Sequence, residues 1–373
     1  AGVLGLPMSQ VEVEASRLGG AFGGKEDQGS EWAALAALGA SLSGLPVKVY
    51  LRRRDDMRFT GKRHPYSSDY RIGLDAGGKI LAFEADYYQN SGACCDLSPA
   101  ILSRSLFHAT NAYRVPNVRV TGHMCRTNLL PFTAFRGFGA PQALFVVEAA
   151  IDAASRKAGL DPVEVRRNNL FASGDSFHYG MPIEDCRARA SFDRLLEKCR
   201  WTELRGEMAS FNASHRLEKR GAAIMPLCFG VSFTNFVMNQ GGALVHVYKD
   251  GSVLVSTGAI EMGQQVSRKI ARVVSRALGA SLDRIRVGKT STLTVANTYP
   301  TAASTGSDIN GMAALAACEE IRKRLLAKAG ELLGAPESEL SLAEGRVMRN
   351  GAPTPLSWDQ LVAKTHAARV DLS

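Results

Sequence analysis

The stretch RLGGAFGGKEDQGSEWAALAALGASL, residues 17–42, constrains this chain more than any other. Gly19, Gly20, Gly23 and Gly24 surround Phe22 and run into Lys25 and Glu26. Glycine admits left-handed backbone and lets an N–H approach a ligand without a Cβ in the way. A strand is expected over residues 9–17, ahead of the loop. Apolar spacing predicts a helix after it, stopping at Gly44 before Pro46. A strand, a glycine loop and a helix start together form a cradle for an anion or a cofactor. The loop is not a phosphate loop, because Glu26 stands where GxxxxGK[ST] requires a hydroxyl, and it is not GxGxxG. Taken alone, it also fits an ordinary tight turn.

Three further stretches repeat the device. TAFRGFGAPQ (133–142) sets Phe138 between glycines and adds Arg136; EMGQQ (261–265) and PTAASTGSDING (300–311) place small residues ahead of a helix. Four such loops suggest a ligand held by main-chain amides and rich in acceptor oxygens: a phosphate, an oxo group or a pterin.

The remaining pattern is mixed. A strand is expected at 46–53, a hairpin turning at Ala76-Gly77-Gly78, irregular chain over 91–133, and a helix between Pro141 and Gly159 followed by a short one at 161–170. The polar run RGEMASFNASHRLEKRG (205–221) marks a boundary. Strands are then expected at 221–233, 242–250, 252–258 and 284–289, and helices near 263–279 and 308–333. A small hairpin at 338–357 and a last helix at 357–370 complete the pattern. Hairpins mixed with helices indicate α+β, with a first domain over 1–210 and a second over 219–373.

Composition excludes several classes. The net charge of +9 comes from basic clusters that acids interrupt, as in LRRRDD, with no aromatic-interleaved stripe, so no nucleic-acid partner is expected. Runs such as WAALAALGA are too short for a membrane span. Seven cysteines without a CxxC pair spell neither a zinc nor an iron–sulfur ligand set, and suggest reduced thiols in a cytoplasmic protein.

Six motifs occur in a telling order: GGAFGGKE, RSLFHATNAYRVPN, TAFRGFGAPQ, FGVSFTNFVMNQ, EMGQ and PTAASTGSDING. In order and spacing the chain resembles, over essentially its whole length, the molybdenum-binding part of the xanthine dehydrogenase/xanthine oxidase family. The resemblance implies two elongated molybdopterin-binding domains of mixed sheets with flanking helices, the second incomplete here. It implies a cytoplasmic hydroxylase that converts hypoxanthine and xanthine to urate with oxygen from water. Two [2Fe–2S] clusters and FAD would lie in other subunits or domains of a homo-oligomeric parent, not in this chain.

Site residues follow from the matched positions. Phe22, Arg136 and Ala303 match residues whose main-chain amides approach the molybdenum ligands, with Gly23, Ala302 and Ser304 beside them. Gln264 matches a glutamine that bonds the cofactor. Glu26 and Arg104 match the catalytic pair that grips a purine's polar edge. Phe138 and Phe233 match aromatics that sandwich the flat ring, and Thr234 a hydroxyl beside it. These types suit the task. Aromatic pairs add about 0.5–1.5 kcal/mol beyond burial, and a guanidinium steadies charge that builds on the ring during attack.

The resemblance also sorts relatives. Aldehyde oxidases usually lack the acid and the arginine matched by Glu26 and Arg104. Carbon monoxide dehydrogenases carry a cysteine ahead of the FRG-like arginine, where this chain reads PFTAFRG. A general-base glutamate in a GEPP-like motif is implied, and no such motif occurs in residues 1–373. A fragment or split subunit, inactive alone, is therefore expected. Glu261 is not taken as a substitute base, since EMGQ matches a cofactor-binding stretch. The alternatives are an aldehyde or N-heterocycle oxidase of the same family, or a cofactor-free assembly module.

Overall fold

The first glycine loop does open a helix. In the computed structural model, which describes all 373 residues, the expected strand over 9–17 shrinks to β1 (Glu14–Ala15). Helix α1 (Gln28–Ser43) follows. It ends as predicted on Gly44, left-handed at φ 66°, whose N–H donates to Ala40 O at 2.9 Å. The chain packs as two compact units, Ala1–Val49 with Val231–Ser373, and Tyr50–Gly230.

The unit of residues 50–230 begins with α2 (Arg53–Phe59), and no strand forms over 46–53. Asp55 and Asp56 fall in the first turn, where a carboxylate complements the helix dipole, and Val47 and Val49 find no ladder partner. Then β2 (Tyr66–Leu74) and β3 (Ile80–Gly92) pair antiparallel from Tyr66↔Gln89 to Leu74↔Ile80. Asp75 Oδ1 closes their turn by accepting from Gly77 and Lys79 N–H at 2.9 and 2.8 Å. The stretch expected to be irregular contains α3 (Ser98–Phe107) and β4 (Val118–Arg126), the latter pairing parallel with β3. Helix α4 (Ala140–Ala158) lays Ala143, Val147, Ala150 and Ile151 on Phe83, Ala85 and Tyr87 of β3, which is the core of this unit. Three more helices, α5 (Pro162–Asn168), α6 (Ala188–Lys198) and α7 (Trp201–Ser214), follow. Residues 221–233, expected as a strand, join no sheet.

The rest of the other unit repeats the order. β5 (Ala243–Val247) and β6 (Val253–Thr257) form a hairpin, α8 (Val266–Leu278) crosses, and β7 (Ile285–Val287) pairs parallel with β6. The short β8 (Thr290–Ser291) pairs with β1, tying residues 14–15 into this unit. Helix α9 (Gly306–Leu333) precedes a meander of β9 (Leu340–Ala343), β10 (Arg346–Arg349) and β11 (Ala352–Ser357), then α10 (Trp358–Ala367). Val245, Val255, Ile270, Val274, Ile321 and Leu325 fill the core between β5–β6, α8 and α9. Both units therefore read hairpin, helix, parallel third strand, long helix, an α+β plan with mixed sheets. No helix is long and apolar enough to cross a membrane.

Candidate cofactor and substrate site

In the unit that contains the glycine loop, three of the four singled-out loops meet. Leu18 N–H donates to Glu261 O at 2.9 Å, which joins the first loop to EMGQQ. Ile260 N–H donates to Thr301 Oγ1 at 2.9 Å, which joins EMGQQ to PTAAST. Ser232 N–H donates to Ala303 O at 3.0 Å and brings up the segment that carries Phe233 and Thr234. Asn239 fixes that segment: its Oδ1 accepts from Phe233 N–H and its Nδ2 donates to Phe233 O, both at 3.0 Å. Phe233 is half-buried and Thr234 exposed.

Each loop has an unusual backbone. Phe22, Ala303 and Ser304 are left-handed without being glycine, at φ 54°, 52° and 61°. Such positions cost on the order of 1–3 kcal/mol and concentrate at functional sites. Phe22 is exposed, yet its ring covers Gly20, where a Cβ would lie 2.7 Å from it. Glu26 is half-buried and stands two residues ahead of α1. The side chain of Gln264 serves its own loop: Oε1 accepts from Met262 N–H at 2.6 Å and Nε2 donates to Ile260 O at 2.9 Å.

In the unit of residues 50–230, the loop after β4 gives Gly137, Phe138 and Gly139 at φ 96°, 51° and 97°. Arg136 is exposed, and its carbonyl accepts from Arg63 Nη2 at 2.8 Å. Arg104, in the last turn of α3, is only 5% exposed. Its Nη1 donates to Gly230 O at 2.8 Å. Its guanidinium carbon lies 6.0 Å from the Phe138 ring centroid and 5.5 Å from that of Phe229. Burial lowers its pKa from the ordinary arginine value. The structure thus joins Arg104 to Phe138 in one unit and gathers the segments of Phe22, Phe233, Gln264 and Ala303 in the other.

A molybdopterin fits these residues. Gly20, Gly23, Gly24, Gly137, Gly139 and Gly263 set positive-φ backbone without a Cβ in these loops, as close approach by a ligand of acceptor oxygens requires. No group of three or more His, Cys, Asp or Glu is assembled to hold a metal ion.

Sequence reasoning missed His108, Phe229 and Gly230, which surround Arg104. His108 stands four residues beyond Arg104, the spacing of one helix face, but without α3 in view that spacing carried no meaning.

Two family models, each described as a molybdopterin cofactor-binding domain, match residues 1–170 and 194–373. The xanthine dehydrogenase/oxidase of Gallus gallus is 44% identical over 325 residues, 87% of this chain and 24% of that protein. The xanthine dehydrogenase of Drosophila pseudoobscura pseudoobscura is 42% identical over 368 residues, 99% of this chain and 26% of that one. The chain thus spans about a quarter of the length of these curated relatives. The crystal structure of quinoline 2-oxidoreductase from Pseudomonas putida 86 shares the fold at a TM-score of 0.83 and 23% identity, over 97% of this chain and 48% of that one. With both domain models matched and these relatives aligned over most of its length, the chain belongs to the xanthine dehydrogenase/xanthine oxidase family, as its molybdopterin-binding region.

Proposed function

We propose that this chain is the cofactor-holding part of a molybdenum hydroxylase that oxidises hypoxanthine and xanthine to urate. Phe22, Gly23, Arg136, Gln264, Ala302, Ala303 and Ser304 hold the molybdopterin. When bound, that group supplies the redox centre at which a ring C–H is oxidised, and electrons leave through iron–sulfur and flavin parts of the parent enzyme. Phe138 and Phe233 stack on the purine, and Thr234 adds a hydroxyl at its edge. Glu26 accepts from or donates to a ring nitrogen. In this reading the chain alone turns nothing over, and its seven unpaired cysteines accord with a cytoplasmic setting.

One observation carries the purine assignment: Arg104, 5% exposed, is held by Gly230 O beside the Phe138 ring. A guanidinium held in this place suits a purine carbonyl that gains negative charge during attack at the ring, and stabilising that charge accelerates the reaction. An aldehyde has no second carbonyl for it to reach. In the full enzyme, Arg104→Met should cut kcat/KM for xanthine by about 100- to 1,000-fold, the usual cost of one oxyanion donor. Aldehyde turnover by the same preparation should change only a few-fold. Equal losses on the two substrates would remove the purine assignment.

A further inference from the structure

We propose that His108 is a positioning residue for the Arg104 guanidinium, and that it acts only as a neutral imidazole protonated at Nδ1. This rests on the reading of Arg104 as a substrate-gripping group. His108 is 9% exposed, and its two ring nitrogens face opposite chemistry. Nδ1 lies 2.9 Å from the carbonyl oxygen of Arg104, which can only accept, so Nδ1 carries the hydrogen. Nε2 lies 3.0 Å from the backbone nitrogen of Gly230, which can only donate, so Nε2 is bare.

The carbonyl of the same Gly230 accepts from Arg104 Nη1 at 2.8 Å. Three residues therefore close a ring: the Arg104 side chain to Gly230, Gly230 to His108, His108 back to the Arg104 backbone. The imidazole fixes where the Gly230 carbonyl points, and that carbonyl fixes the guanidinium beside Phe138 and Phe229. The His108 ring itself lies 5.3 Å from the Phe229 ring. A histidine that only caps a helix carbonyl is common, and the Nδ1 bond alone would be that. The bond from Gly230 is not accounted for by capping. Three residues on, Asn111 repeats the arrangement, accepting from Cys228 N–H and donating to Pro226 O, both at 3.0 Å. Side chains at the end of α3 thus take the place of a strand partner for residues 226–230.

A second proton would break the ring. It would aim an imidazolium N–H at the Gly230 N–H and add a positive charge beside Arg104. The charged or titratable groups around His108 are Arg104 on its own helix and His178 from the segment after α5, which bonds Leu106 O through Nε2 at 2.9 Å. The Glu148 carboxylate is reached only through Asn111 Nδ2, 2.9 Å from its Oε1. Burial and the charge of Arg104 lower the His108 pKa from its ordinary value, against the bond to the Arg104 carbonyl, which raises it.

Neutron diffraction from crystals of the full enzyme should find deuterium on His108 Nδ1 and none on Nε2. Deuterium on Nε2 would overturn the proposal. In kinetics, His108→Phe keeps a ring against Phe229 and loses both bonds. It should raise KM for xanthine about tenfold, with a smaller effect on kcat and on aldehyde turnover. His108→Gln, which keeps a donor and an acceptor, should recover part of that loss. A purely structural role predicts equal losses on xanthine and aldehyde and no recovery with glutamine, and that result also rejects the proposal. A wild-type enzyme without preference for purines would sink the substrate reading instead, and the neutron result would then decide the clamp.

Discussion

At position 139 only glycine fits. A Cβ there would lie 2.1 Å from the carbonyl oxygen of Ile101 and 2.7 Å from Ser105 Oγ, on a backbone at φ 97°. Ser105 Oγ donates to Gly139 O at 2.9 Å and sits 2.9 Å from the Tyr66 hydroxyl, so the approach of α4 to α3 is locked by hydrogen bonds as well as by shape. Phe138, one residue earlier, takes its place beside Arg104 from this contact. Gly139→Ala should lower the free energy of unfolding by roughly 3 kcal/mol, from the clash together with the strained φ. The check is a urea midpoint that falls at unchanged slope; a midpoint within error of the wild type would contradict the argument. At this scale motifs single out Glu26, Arg104 and Phe138 as candidates. They could not reveal which non-glycine residues turn left-handed. Phe22, Ala303 and Ser304 have φ values that the surrounding structure imposes against their own preference.

Among the elements, the start of α8 depends on a single carboxylate. Glu261 Oε1 accepts from Gly263 and Gln265 N–H at 2.9 and 3.1 Å, and Oε2 from Ser267 N–H at 3.2 Å. Burial alone would raise its pKa, but these amides outweigh burial and hold it below the usual glutamate value. The carboxylate satisfies amides that the helix leaves unpaired and holds the EMGQQ turn, including Gln265 at φ 62°, in one shape. Glu261→Ala should cost about 1–2 kcal/mol locally and free the loop that carries Gln264. Molybdenum per chain in the purified full enzyme should fall while circular dichroism stays unchanged; undiminished metal would show that the turn keeps its shape without the carboxylate. Elements with strong punctuation were legible in the sequence, as at α4 between Pro141 and Gly159 or the hairpin on Asp75. Where partners decide, the sequence misled. Val47 and Val49 have strand propensity but no neighbouring strand. Residues 226–230 are bonded by Asn111 and His108 rather than by a ladder. Helix α3 escaped notice because SPAILSRSLF buries Ser98, Arg104 and Ser105 beside Ile101 and Leu102, which blurs its apolar stripe.

Over the whole molecule, buried histidines make acid tolerance uneven. His64 is 2% exposed and bonded through Nε2 to Ser98 Oγ at 2.8 Å, and burial pushes its pKa from the ordinary 6.5 down to about 4. Burial likewise lowers His108 and His178. All three lie within residues 50–230. Above pH 6.5 the folded and unfolded states are both neutral at His64, and pH has no leverage there. As pH falls below that value the unfolded chain takes up a proton that the folded one refuses. Stability then drops by about 1.4 kcal/mol per pH unit until the folded histidine titrates near 4, a loss on the order of 3 kcal/mol from His64 alone. Depressed carboxylates such as Glu261 act lower, as pH falls below the ordinary 4.5, so they contribute little between pH 7 and pH 5. Hydrogen exchange compared at pH 7 and pH 5 should therefore show amides of β3, α3 and α4 losing protection before those of β6, α8 and α9. His64→Gln removes the largest titration and should narrow that difference. Equal loss in both units at pH 5 would mean that the interior of residues 50–230 accepts the protons, and the dry environment assigned to His64 and His108 would be wrong.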